Sequence, residues 1–259
     1  MKRARVLLTG ASGGLGQALA ESLASAGASL LLAGTRLDVL TDLRDRLPGE
    51  HSLVAANLTQ AEGLAAVCDA AHLFGPTILI NNAGASHFGL YDEMDPEDLD
   101  RVLQTNLLAP MRLTRAVLPS LRARADSAIV NIGSVFGNLP FPGFVAYSSA
   151  KAGLRGFSQA LRRELAGSGP RVLYIAPRAI DTAFNSPAVQ ALNRAMGSRA
   201  DPPAVVATQV LCALQARRPE TCLGFPERLF TWLNGLAPRV IDRALADKLP
   251  LIEQHTHHP

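Results

Sequence analysis

ARVLLTGASGGLGQALAESLASAG, residues 4 to 27, holds the reading that decides the fold. Its first seven residues form an apolar run with the composition of a buried strand, and Leu15 to Gly27 have helical spacing closed by a glycine. Between them, TGASGGLG at 9 to 16 joins strand to helix through four glycines. Gly10, Gly14 and Gly16 permit a tight turn and close backbone approach, and the helix amino terminus behind them presents unpaired N–H groups to an anion. The spacing is GxxxGxG, so an ordinary structural turn is the alternative reading of these residues alone.

Outward from this unit the pattern repeats. ASLLLAG at 28 to 34 predicts a second strand, followed by a helix over 36 to 47 and a short third strand over 51 to 56. TILINNAG at 77 to 84, SAIVNIGS at 127 to 134 and RVLYIAP at 171 to 177 predict three more strands. The intervening spans 95 to 121 and 146 to 167 read as helices. Apolar strands alternating with amphipathic helices predict parallel βαβ units covered on both faces. Right-handed crossovers then bring the polar residues after strands one, four, five and six to one crevice.

Composition narrows the function classes. The 259 residues are 48% hydrophobic and 18% charged with a formal charge of +3, which fits one large folded α/β domain. Basic residues are scattered among acids without a stripe or zinc-finger spacing, so nucleic acid is not an expected partner. Cys68, Cys212 and Cys222 make no CxxC pair, which argues against a disulfide framework. The apolar run near the start is too short for a secretion signal, and the expected location is cytoplasmic.

Several positions carry candidate chemistry. Where an acid would hold the ribose 2'-hydroxyl of NAD, the chain has Gly34-Thr35-Arg36; a guanidinium there favours the 2'-phosphate of NADP, with a first-turn surface arginine as the plainer reading. Asn57 can meet an adenine edge. Asn81 can tie neighbouring strands or touch cofactor, and Asn82-Ala83-Gly84 can approach the adenosine ribose. In YSSAK at 147 to 151, Tyr147 and Lys151 share one helix face. Tyr147 can pass a proton to a carbonyl oxygen, Ser134 can donate a second hydrogen bond, and the Lys151 ammonium is expected to lower the phenol's pKa and to hold ribose hydroxyls. Asn106 can break helix hydrogen bonding and hold a water, or simply satisfy a backbone carbonyl.

TGASGGLG, NNAG, Asn106, Ser134 and YSSAK together resemble the short-chain dehydrogenase/reductase family over residues 4 to 182. The resemblance implies a single Rossmann-type three-layer α/β domain with a mainly parallel, seven-stranded sheet, and an Asn106, Ser134, Tyr147, Lys151 catalytic set. It implies a nicotinamide cofactor, which with Arg36 is expected to be NADP(H) held by Gly10, Ser12, Gly13, Gly14, Leu15, Gly16, Arg36, Asn57, Leu58, Asn82, Ala83, Gly84, Tyr147, Lys151, Pro177 and Thr182, and a homodimer or homotetramer. Two positions depart from it: Asn57 replaces a common Asp, and Pro177-Arg178 replaces a common Pro-Gly, so that Arg178 is expected to crowd the nicotinamide side or to charge the substrate mouth.

Val135, Phe136, Leu139, Phe141, Phe144, Ile180 and Phe184 are the expected apolar pocket lining, with a lid over 183 to 203. A helical extension over 225 to 252, interrupted by Gly235 and Pro238, can cover the crevice, pair with a second subunit or rest on a membrane surface, and protein packing is the plainer choice. His255, His257 and His258 end the chain without companion ligands, and no metal site is expected. The leading expectation is NADPH-dependent reduction of a ketone or aldehyde. A β-ketoacyl-thioester reductase is the alternative, and a cofactor-binding scaffold with little turnover is the alternative of another class.

Overall fold

The computed structural model describes residues 1 and 4 to 256. Seven strands form one sheet: β1 (Arg5–Thr9), β2 (Ser29–Gly34), β3 (Ser52–Ala55), β4 (Ile78–Asn81), β5 (Ala128–Ile132), β6 (Arg171–Ala176) and β7 (Glu220–Cys222). Their order is β3-β2-β1-β4-β5-β6-β7, and every neighbouring pair is parallel. The order reverses between β1 and β4, which opens a crevice at the carboxyl ends of those strands.

The strand sequences split their side chains between two cores as a period of two requires. Val6, Leu8, Leu30, Leu32, Ile78, Ile80, Ala128 and Val130 face one side, where α1 (Gly14–Ser25), α2 (Leu37–Arg46) and α8 (Pro203–Gln215) cover them. Leu7, Leu31, Leu79 and Ile129 face the other, beneath α3 (Ala61–Phe74), α5 (Ala109–Arg122) and α6 (Val145–Glu164). Each such leucine or isoleucine, withdrawn from water, contributes about 1.5–3 kcal/mol.

A polar ladder crosses the second core. Asn81 Nδ2 donates to Asn131 Oδ1 at 2.8 Å and Thr114 Oγ1 at 3.1 Å, and Asn131 Nδ2 donates to Ser158 Oγ at 2.8 Å. Asn81 and Asn131 are register partners on β4 and β5, so this residue ties strands and does not face the crevice.

The remaining elements depart from the sequence reading in specific ways. The predicted helix over 95 to 121 is α4 (Pro96–Leu103) and α5, joined by a π turn at Gln104–Leu108. Helices α3 and α8 have no counterpart in that reading, and the short edge strand β7 supplies the seventh strand that the family resemblance implies without locating it. The lid region contains α7 (Pro187–Ala195), and the extension contains α9 (Glu227–Leu236), α10 (Pro238–Ala246) and α11 (Leu249–Thr256). Gly235 lies inside α9, so the break belongs to Pro238 alone, whose ring is accommodated only at the first turn of a new helix. His257 and His258 lie outside the described residues; His255 Nδ1 lies 2.8 Å from the Leu251 carbonyl oxygen.

Candidate active site

The phosphate-binding turn is built by glycine geometry. Gly10 has φ +64°, and a Cβ there would lie 2.7 Å from Ala83 Cα; a Cβ on Gly16 would lie 2.0 Å from the Gly10 carbonyl oxygen. Helix α1 starts after Gly13 with no side-chain cap and no acid in its first turn, which leaves its N–H groups facing the cleft. A Cβ on Gly14 would meet Thr182 Cγ2 at 2.6 Å, so Thr182 closes over this turn from the far side. Thr9 Oγ1 accepts from the backbone of Asn82 at 3.0 Å and Ala83 at 3.1 Å, which clamps NNAG against the turn. Asn82 spends its side-chain amide on the Thr9 and Gly10 carbonyls, at 3.0 and 3.2 Å.

At the adenosine end, Arg36 lies exposed with its guanidinium donating to the Ser12 carbonyl. Asn57 Oδ1 accepts from Thr59 N at 3.0 Å and Thr59 Oγ1 at 2.9 Å. This turn occupies its side-chain oxygen, and the residue lines the cleft. Leu58 lines the same cleft while packing its side chain against the second core, and Leu15 does so against the first. An uncapped helix terminus, a glycine cradle and a free guanidinium edge fit a dinucleotide carrying an additional phosphate.

At the other end, Ser134, Tyr147 and Lys151 converge after β5. Lys151 Nζ donates to the Ile132 carbonyl at 3.0 Å and lies 5.7 Å from the centre of the Tyr147 ring. Ser134 Oγ accepts from Phe136 N at 3.1 Å, which orients the hydroxyl at the strand end. Tyr147 is walled by aromatic rings: Phe184 at 6.0 Å, Phe144 at 6.4 Å and Phe136 at 6.5 Å between centroids. Burial pushes its phenol up to about 12, partly offset by the hydrogen bond with Ser134, and burial pushes Lys151 down to about 8. Burial of the phenol therefore acts against the lowering expected from Lys151.

Asn106 sits in the π turn, where Nδ2 donates to the Ala85 carbonyl at 2.7 Å and the Val102 carbonyl at 2.8 Å. The expected break in helix hydrogen bonding is present. Its Oδ1 is buried without a hydrogen-bond partner among the described residues, 3.1 Å from where a Gly84 Cβ would stand.

The expectation for Arg178 is also corrected. Its guanidinium grips Asp201 through two bonds of 2.8 and 2.6 Å and lies 3.5 Å from Glu227, so its charge is neutralised and does not stand free in the mouth. These acids raise its pKa above the ordinary arginine value, the Asp201 hydrogen bond foremost. Pro177 next to it accepts from Val135 N at 2.9 Å, which ties this loop to the one carrying Ser134.

The glycine turn, Arg36, Asn57, Asn82, Ser134, Tyr147, Lys151, Arg178 and Thr182 line one cleft of about 1260 Å³, and Asn106 and Asp201 are not among its lining residues. Its substrate half is apolar and includes every expected lining residue, together with Val189, Leu192 and Met196 from the lid region and Phe230, Ile241 and Leu245 from the extension. The extension therefore covers the crevice with one side, while Leu229, Trp232 and Leu236 on α9 are at least half exposed. Among the described residues no helix is long and apolar enough to cross a membrane, no three His, Cys, Asp or Glu residues are grouped as metal ligands, and all three cysteines are free.

A phosphate cradle and a serine, tyrosine and lysine set at opposite ends of one cleft define a dinucleotide-dependent oxidoreductase. Residues 4–193 match a family profile described as short chain dehydrogenase. The chain belongs to the short-chain dehydrogenase/reductase family and is an NAD(P)-dependent oxidoreductase. It is 40% identical over 182 residues to Nodulation protein G of Rhizobium sp. (strain N33), covering 70% of this chain and 74% of that one. Over 178 residues it is 36% identical to the 3-oxoacyl-[acyl-carrier-protein] reductase FabG of Vibrio cholerae, covering 68% and 73% of the two chains. The crystal structure of a short-chain dehydrogenase from Streptomyces avermitilis superposes with a TM-score of 0.80 at 30% identity, covering 96% of this chain and 98% of that one.

Proposed function

We propose that the chain is an NADPH-dependent reductase of a β-ketoacyl thioester. The observation that carries the chemistry is the placement of Ser134, Tyr147 and Lys151 at the apolar end of a cleft whose other end is a phosphate cradle. The thioester is favoured over a free ketone or aldehyde, the leading expectation of the sequence, by the 36% identity to a 3-oxoacyl-[acyl-carrier-protein] reductase.

Gly10 to Gly16 and the start of α1 would hold the pyrophosphate, Arg36 the 2'-phosphate, and Lys151 the nicotinamide ribose. When bound, the reduced cofactor supplies hydride to the carbonyl carbon. Ser134 donates a hydrogen bond to the carbonyl oxygen, and Tyr147 gives that oxygen its proton. A phenol held at about 12 is protonated at neutral pH, the state a general acid needs for reduction. Lys151 stabilises the negative charge left on the phenol as its proton departs. The unpaired Asn106 Oδ1 supports a water that returns a proton from solvent to Lys151.

A free bulky ketone is the second reading. It is favoured by the extension, which lies beyond the family match ending at residue 193 and adds Phe230, Ile241 and Leu245 to the pocket. NADPH consumption with β-ketoacyl pantetheine thioesters and with diaryl ketones, followed by product identification, tests both. Faster turnover of the thioesters supports the first reading, and turnover of ketones alone replaces it with the second.

A further inference from the structure

Arg178 joins three separate pieces of chain. It is itself in the loop after β6, beside the Pro177 carbonyl that anchors the Ser134 loop. Asp201, held through a two-bond fork, ends the lid region; Glu227 opens the first turn of α9. The three side chains are 18%, 16% and 24% exposed, so this cluster is shielded from the salt and water that make surface pairs weak.

The backbone is fitted to this cluster. Asp201 N donates to the Ala179 carbonyl at 2.9 Å, Asp181 N donates to the Asp201 carbonyl at 3.0 Å, and Ile180 and Asp201 form a parallel bridge. Gly224 has φ +99°, and a Cβ there would lie 2.8 Å from Arg178 Cδ and 3.0 Å from Glu227 Oε2. Glycine is thus required both by the turn and by the arginine stem passing over it. Lid and extension supply the outer apolar walls of the cleft, and both are bolted to the strand-end loop at one cation.

We propose that Arg178 is a positioning residue for substrate: by holding Asp201 and Glu227 together it fixes the lid and the C-terminal extension as a preformed substrate wall. It touches neither the reacting carbonyl nor the proton donor. This deepens the reductase reading and rests on it, since the wall matters only where a substrate is bound. The physical gain is that ordering two chain segments costs conformational entropy, and a wall ordered in advance spares substrate binding that cost.

The test compares Arg178→Gly, Arg178→Lys and the uncharged triple variant Arg178→Met/Asp201→Asn/Glu227→Gln. Arg178→Gly raises KM for the carbonyl substrate on the order of tenfold to a hundredfold, as loss of remote positioning does. It leaves kcat and NADPH affinity within about twofold. Trypsin cuts at Arg194, Arg199 and Arg228 faster than in the parent, and the anisotropy of Trp232, the single tryptophan, falls. Arg178→Lys restores part of the effect, because one ammonium keeps the charge without the fork. The triple variant leaves no buried charge unpaired, so it remains folded while still losing the wall. Unchanged KM with unchanged cleavage in both Arg178→Gly and the triple variant overturns the proposal. Cleavage and anisotropy are read without turnover, so a parent protein that reduces no carbonyl defeats the reductase reading while these two measurements still decide on the clasp.

Discussion

The Lys151 ammonium lies 5.7 Å from the centre of the Tyr147 ring, one helical turn away, and donates to the Ile132 carbonyl at the end of β5. The pair is buried on the same face of α6, and desolvation drives the two pKa values apart, the phenol upward against a partly offsetting hydrogen bond with Ser134 and the amine downward. This relationship sets the pH behaviour of the site.

Carbonyl reduction is expected to hold steady below pH 8 and to fall as pH rises through about 8, where Lys151 loses its proton. Alcohol oxidation, which needs the phenolate, rises towards alkaline pH because Tyr147 sits at about 12. Initial rates in both directions between pH 6 and pH 10 check this; a reduction rate that stays level to pH 10 contradicts it.

The same burial costs stability. Lys151 titrates at about 8 folded and at its ordinary 10.5 unfolded, so between these values the unfolded chain binds more protons and folding strengthens as pH rises. Below about 8 the charged, buried amine carries the full cost. Lys151→Met is therefore expected to stabilise the fold at pH 7 by about 2 kcal/mol after allowing for the lost hydrogen bond to Ile132, with turnover abolished. Urea unfolding at pH 7 and above pH 10.5 measures it, the difference between the two proteins shrinking at the higher pH.

Cofactor choice is expected to rest on Arg36. Arg36→Ala should weaken NADPH by roughly tenfold to a hundredfold, the worth of a hydrogen bond to a charged group, and leave NADH nearly unchanged. Titration of both cofactors by nicotinamide fluorescence reads this directly, and equal losses for the two would remove the phosphate contact from the account.

Gly16→Ala should be among the most damaging small substitutions in the chain. The added methyl would stand 2.0 Å from the Gly10 oxygen and 2.8 Å from Ala11 Cα, both backbone atoms that cannot swing aside. A loss of about 2–4 kcal/mol in unfolding free energy, with weakened cofactor binding, is expected.

The parallel sheet and its crevice were legible because their signal is local. Val6 to Leu8, Leu30 to Leu32 and Ile78 to Ile80 are buried on both faces, so each strand shows as an unbroken apolar run. Ser134, Asn82 and Thr182 follow strand ends, and topology alone brings such positions together. Helix α8 carried a readable signal in Pro203 at its first turn, whereas β7 is three half-buried residues with no periodicity to detect. What sequence could not carry is tertiary. Arg178 meets its partners across 23 and 49 positions, a distance in the chain that no local pattern reports. The Tyr147 phenol is raised by burial within an aromatic wall gathered from the loop after β5, the start of α6 and the lid region, which the spacing to Lys151 does not report.

The central claim is that the Tyr147 hydroxyl delivers the proton to the substrate oxygen. Tyr147→Phe removes that oxygen and keeps the ring among Phe136, Phe144 and Phe184. NADPH oxidation with the best thioester or ketone substrate, measured beside NADPH binding in the same preparation, is the direct test. The account predicts turnover lower by at least about a hundredfold with cofactor affinity retained; turnover equal to the parent protein would contradict it.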